Sequence, residues 1–146
     1  MCPYPQVARY LGEGSIDEAE NFVCVDLAPA EVRIDPDSLD LGTSGTFKAG
    51  ITLPKGFYPG YGLWENLAVV CEGASSKNMK KFKLKGRLFY RKGNTFTAEF
   101  NKEDLKNISP GEDVPFTVTA IFEHKSSKPA MNKRLAFEGS DEVMVK

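Results

Sequence analysis

The sequence predicts an all-β fold, a single antiparallel β-sandwich, on three observations. Apolar residues recur with period two over several short runs, which places alternate side chains on one buried face. Turn residues separate these runs at short spacing, and the 13 glycines, 9 prolines and 10 phenylalanines of the 146 residues suit strands and turns better than long helices. No strand–helix–strand alternation is present, so nothing in the pattern calls for a parallel sheet.

The elements follow in order. Residues 1–20 are polar and rich in proline, glycine and acids, and are expected as an extended N-terminal arm ahead of a β-sandwich domain over 21–146. Asn21–Leu27 is the first strand signal, and Val32–Ile34 and Ser38–Leu41 flank an Asp-Pro-Asp turn. Thr46–Leu53 puts Phe47, Ala49, Ile51 and Leu53 on one face. Phe57–Trp64 is an aromatic and glycine-rich loop, and Leu67–Cys71 a short apolar strand. Phe82, Leu84, Leu88 and Tyr90 alternate with Lys83, Lys85, Arg87 and Phe89, interrupted by Gly86. Arg91–Asn94 reads as a hairpin turn, because Gly and Asn tolerate positive φ. Thr95–Phe100 returns with Phe96, Ala98 and Phe100 inward. Asn101–Asn107 reads as one short helix with an Asn cap. Phe116–Phe122 and Glu142–Val145 close the set. Eight or nine strands without a dividing linker indicate one immunoglobulin-like sandwich.

Hydrophobic residues make up 41% and charged residues 27%, the composition of an ordinary globular domain. No apolar run approaches the ~20 residues that span a bilayer. Met1 is followed by Cys-Pro-Tyr-Pro, with no basic start and no apolar stretch, so the chain is expected to be either cytoplasmic or a mature form whose leader has been removed. The formal net charge is -1, yet the charges are segregated. From Gly12 to Gly42 every charged residue except Arg33 is acidic, and from Ser75 to Asn94 every one is basic.

Several segments resemble, in order, a β-sandwich module that recurs in secreted and cell-surface proteins of archaea and bacteria. They are Val32-Arg-Ile-Asp-Pro-Asp-Ser-Leu-Asp-Leu41, Thr46–Phe57, Phe96–Leu105, Pro110–Thr119 and Phe137-Glu-Gly-Ser-Asp-Glu-Val-Met-Val145, within residues 31–57 and 95–145. The resemblance implies a non-catalytic module exposed outside the cell and appended to larger proteins. Members often carry an Asp-rich, calcium-loop-like stretch. Here Leu88–Asn94 holds bases at that place, which would repel a divalent cation, so calcium is not carried over. Residues 1–30 lie outside the resemblance.

The chemistry-bearing residues are few. His124 is the single histidine and lies beside Glu123 and Lys125 without a nucleophile motif, so it is expected to be structural. No zinc set can be assembled from it and Cys2, Cys24 and Cys71. Cys24 and Cys71 lie in strand-like runs; they either form a disulfide between the sheets or are simply buried. Asp35, Asp37, Asp40 and Glu31 carry oxygen ligands but lack the spacing of a calcium loop, and a solvated Asx-turn is the expected reading. No cofactor is expected.

Two surfaces are candidates for binding. Lys80, Lys81, Lys83, Lys85, Arg87 and Arg91 would form a basic stripe for an acidic glycan or other polyanion, or would keep an edge strand from pairing. Tyr58, Tyr61 and Trp64 would contact a carbohydrate or protein, or plug the end of the core. A sequence pI of about 5.9 argues against nucleic acid. The acidic first third and the basic hairpin suit a head-to-tail contact with a protein partner or another copy, with residues 1–20 adding a strand to a neighbour.

Overall fold

A computed structural model describes residues 2–12, 18–55, 64–74, 81–105, 108, 110–124 and 133–146. The described residues are all-β: strand accounts for 73% of them, about three times the share in an ordinary domain. Among the described residues the ten strands are β1 (Val7–Tyr10), β2 (Phe22–Pro29), β3 (Glu31–Asp35), β4 (Ser38–Leu39), β5 (Thr46–Thr52), β6 (Trp64–Ala74), β7 (Lys81–Lys92), β8 (Thr95–Asn101), β9 (Gly111–His124) and β10 (Lys133–Val145). No described helix is long and apolar enough to cross a membrane.

The strands join in the order β1-β2-β10-β9-β6-β7-β8-β5-β3, with β4 beside β10. The sheet is mixed rather than purely antiparallel: β2 and β4 both run parallel to β10, and the other pairs are antiparallel. The parallel pairs arise because β2 and β4 reach β10 from far along the chain and not through a hairpin.

β7 is the hinge of the topology. Its first half pairs with β6 through Gly86, and its second half pairs with β8 from Arg87 onward. The sheet therefore folds over. Phe47 on β5 stacks on Phe100 with centroids 5.3 Å apart and meets Phe116 of β9 edge-on at 5.8 Å, although four strand boundaries separate β5 from β9. Phe96 of β8 likewise meets Phe122 of β9 at 5.6 Å. The period-two residues Phe47, Ala49, Ile51, Leu53, Phe96, Ala98, Phe100, Phe116, Val118, Ala120 and Phe122 are all buried in this one core. Each large side chain there contributes about 2 kcal/mol by leaving water.

A second, smaller core lies on the opposite side of β6, β9 and β10. It gathers Val25, Ala68, Val70, Ile121 and Ala136 under Val7, Tyr10, Leu11 and Val23. In the segment expected as an extended arm, Val7–Tyr10 instead forms β1, antiparallel to the chain's own β2. This hairpin covers the outer face of the sheet, so β6 and β9 are buried on both sides.

The short helix expected over 101–107 is a single 3₁₀ turn, Lys102–Leu105. Its cap is present: the Glu103 amide donates to Asn101 Oδ1 at 3.0 Å. Residues 106 and 107 lie outside the described residues; on either side of them Leu105 and Ile108 are both buried in the main core.

Candidate functional site

Of the two alternatives for Cys24 and Cys71, a bridge between them is not formed. Cys24 bonds to Cys2, with Cα atoms 5.3 Å apart, and Cys71 is a free, buried thiol. Two strands, β10 and β9, lie between β2 and β6. At about 4.8 Å per strand this puts Cys24 and Cys71 no less than roughly 14 Å apart, twice the Cα separation a disulfide tolerates. Burial pushes the Cys71 thiol far above its ordinary range, and the adjacent Glu72 carboxylate adds to the effect.

β7 is flanked by β6 and β8. Each half is paired on one side only, Lys81–Gly86 with β6 and Arg87–Lys92 with β8, so its cations border an edge that no described strand pairs. They are divided among three settings. The Lys83 ammonium sits 3.5 Å from Glu72 and over the rings of Tyr10 (5.1 Å) and Phe22 (5.9 Å), beneath the N-terminal hairpin. The Lys85 stem lies under Gly12, where an added Cβ would approach Lys85 Cβ to 3.0 Å. Arg87 reaches Glu99 at 3.6 Å with its side chain 77% exposed. A bulge between Leu88 and Tyr90 then reverses the alternation. Arg91 consequently falls on the side of Phe96, with its guanidinium 5.7 Å from that ring and its Nε donating to the Gly93 carbonyl. Lys81 belongs to β7, and Lys80 lies outside the described residues.

The same bulge places Phe89 and Tyr90 together on the outside, 47% and 57% exposed, whereas alternation had put Tyr90 inward. Of the aromatic loop, Tyr58 and Tyr61 lie outside the described residues. Trp64 begins β6 opposite His124, and the two rings meet edge-on at 5.0 Å. His124 thus packs at the end of the ladder. Asp40 accepts from the Gly42 amide at 2.8 Å, an Asx-turn.

Directly paired residues on neighbouring strands share a face, and the registers of β3, β5, β8 and β7 define three rows on the outer face. One row is Glu31, Thr52, Thr95 and Lys92; the next is Arg33, Gly50, Thr97 and Tyr90; the third is Asp35, Lys48, Glu99 and Arg87. The Thr52 and Thr95 hydroxyls are 3.1 Å apart, and the Lys48 ammonium lies 5.4 Å from the Phe89 ring centre. Gly50 leaves the middle of the central row without a side chain. Two open grooves, of about 800 and 610 Å³, share Arg33 and Gly50 as lining residues. Sequence reasoning missed this face because its parts come from four separated strands; the one local signal was glycine inside an otherwise regular strand at Gly50.

No protein-family model matches this chain, and neither any curated protein nor any solved structure matches it.

Proposed function

We propose that this chain is a non-catalytic β-sandwich module of an extracellular or cell-surface protein, acting in adhesion, self-association or the structure of a fibre or surface layer. The observation that carries this reading is the Cys2–Cys24 disulfide, which fastens the segment ahead of β1 to β2. Such bonds persist in oxidising compartments and are rare in the cytosol. The ordered resemblance over residues 31–57 and 95–145 points the same way. A two-layer, immunoglobulin-like arrangement is supported by the aromatic contacts from β5 and β8 to β9.

Self-association has a structural route. β1 ends the sheet order, and among the described residues no strand pairs with its outer edge. A strand from another copy is the natural occupant of such an edge. Sedimentation velocity across a concentration and salt series tests this part: oligomers whose population changes with ionic strength are expected. A monomer under every condition contradicts it.

Glycan binding is the second reading, favoured by the exposed rings of Phe89 and Tyr90 beside the exposed Arg87 on β7.

A further inference from the structure

We infer that the outer face of β3, β5, β8 and β7 is a binding site for a neutral, hydroxyl-rich oligosaccharide, seated over Gly50 between Arg33 and the Phe89–Tyr90 pair. The inference rests on the reading of this chain as a binding module and adds to it a location and a ligand class.

The shape comes first. Four strands and three rows make a patch about 14 Å in each direction, room for a short run of sugar rings. A Cβ added at Gly50 would meet nothing nearer than the Arg33 carbonyl oxygen at 3.8 Å. The space above Gly50 is therefore open trough, not a gap already filled by neighbours. The two grooves meet there, and their size falls in the range of small-ligand sites.

The chemistry selects the ligand. Phe89 and Tyr90 present half-exposed rings on the same face, although large apolar groups are normally withdrawn from water. The face of an aromatic ring carries negative charge density and attracts weakly positive C–H groups, which a pyranose offers on its flat sides. Around the rings stand Thr52, Thr95 and Thr97, which both donate and accept, with cations and carboxylates alternating along the third row. Sugar hydroxyls use donors and acceptors together. An acidic glycan would instead lie across Glu31, Asp35 and Glu99, and along the larger groove across Asp37 and Asp141 as well. The mixed sign favours a neutral chain.

The test is a glycan array carrying neutral and acidic oligosaccharides, probed with the full chain and with Tyr90→Ala, Gly50→Gln and Tyr4→Ala. The expected result is retention on neutral glycans that falls at least tenfold in Tyr90→Ala and in Gly50→Gln. Both variants should keep the thermal melting point of the parent, because Tyr90 is exposed and the Gly50 position has room. Tyr4→Ala, an exposed ring ahead of β1 and outside this face, should leave retention unchanged. Binding confined to acidic glycans, neutral binding indifferent to Tyr90 and Gly50, or binding to no glycan at all overturns the inference. A blank array leaves the self-association reading to its own salt-series test, so the two fail separately.

Discussion

Arg9 and Glu138 stand 129 residues apart in the chain and meet as a bidentate pair across β2, Nε to Oε1 at 3.1 Å and Nη2 to Oε2 at 3.2 Å. Thr119 donates to the same Glu138 Oε1 at 2.8 Å. One carboxylate thus ties β1, β9 and β10 together beside the second core. The pair is about three-quarters buried on both sides, so it is stronger than an exposed ion pair. Arg9→Ala and Glu138→Ala should each destabilise the fold, and a double-mutant cycle in urea should give a coupling of about 1 kcal/mol.

The disulfide holds the same hairpin from its other end. Cys2→Ser opens a loop with a sequence separation of 22, for which the chain-entropy relation gives a loss of about 3 kcal/mol. Cys24→Ser should lose the same amount, and the double variant no more than either single one, because all three remove one bond. Urea midpoints of the three variants check this.

Two glycines should behave oppositely. A Cβ on Gly139 would run into the Ala30 carbonyl oxygen and come within 2.8 Å of Val32 Cγ2. That is where β2 passes into β3 against β10, held by the Ala30 amide donating to the Glu138 carbonyl at 3.0 Å. Backbone cannot yield as a flexible side chain does, so Gly139→Ala should cost about 3 kcal/mol or more. Gly50→Ala has room and loses unfolded-state entropy, so it should be neutral or stabilising by up to about 1 kcal/mol. Thermal melting of the two variants decides the contrast.

The buried Cys71 thiol makes stability depend on alkaline pH. In the unfolded chain this thiol ionises near its ordinary value of about 8.5, whereas in the folded chain burial holds the proton on. The folded state then binds more protons above that value. The contribution is complete below about pH 8.5 and is lost as pH rises from there toward the folded value, by up to about 1.4 kcal/mol per pH unit. Comparing wild type with Cys71→Ala from pH 7 to 10 should show the steeper alkaline decline only in wild type.

The strands that carry a strict period of two were legible. Thr46–Thr52 and Thr95–Asn101 are β5 and β8, with Phe47, Ala49, Ile51, Phe96, Ala98 and Phe100 inward as the alternation demands. The positive φ of Gly93 (62°) likewise sits in the hairpin turn between β7 and β8. What escaped was long-range. Val7, Tyr10 and Leu11 are too sparse among polar neighbours to announce that they cover Ala68, Val70 and Ile121. Parallel pairing of β2 with β10 leaves no turn signature. A single extra residue at Phe89 exchanged the faces of Tyr90 and Arg91, and period-two reading has no means of placing a bulge. The outer-face rows were illegible for the same reason: they exist only once the register of four strands is fixed.

Residues 2–11 are a built part of this domain, bonded to its own sheet through Cys2–Cys24 and the β1–β2 pairing. The most direct test is a peptide map of protein purified without reductant and alkylated before unfolding. The account predicts a Cys2-containing peptide linked to the Cys24 peptide within one chain, with Cys71 alkylated only after denaturation. A Cys24–Cys71 link, or all three thiols alkylated in the native protein, would contradict it.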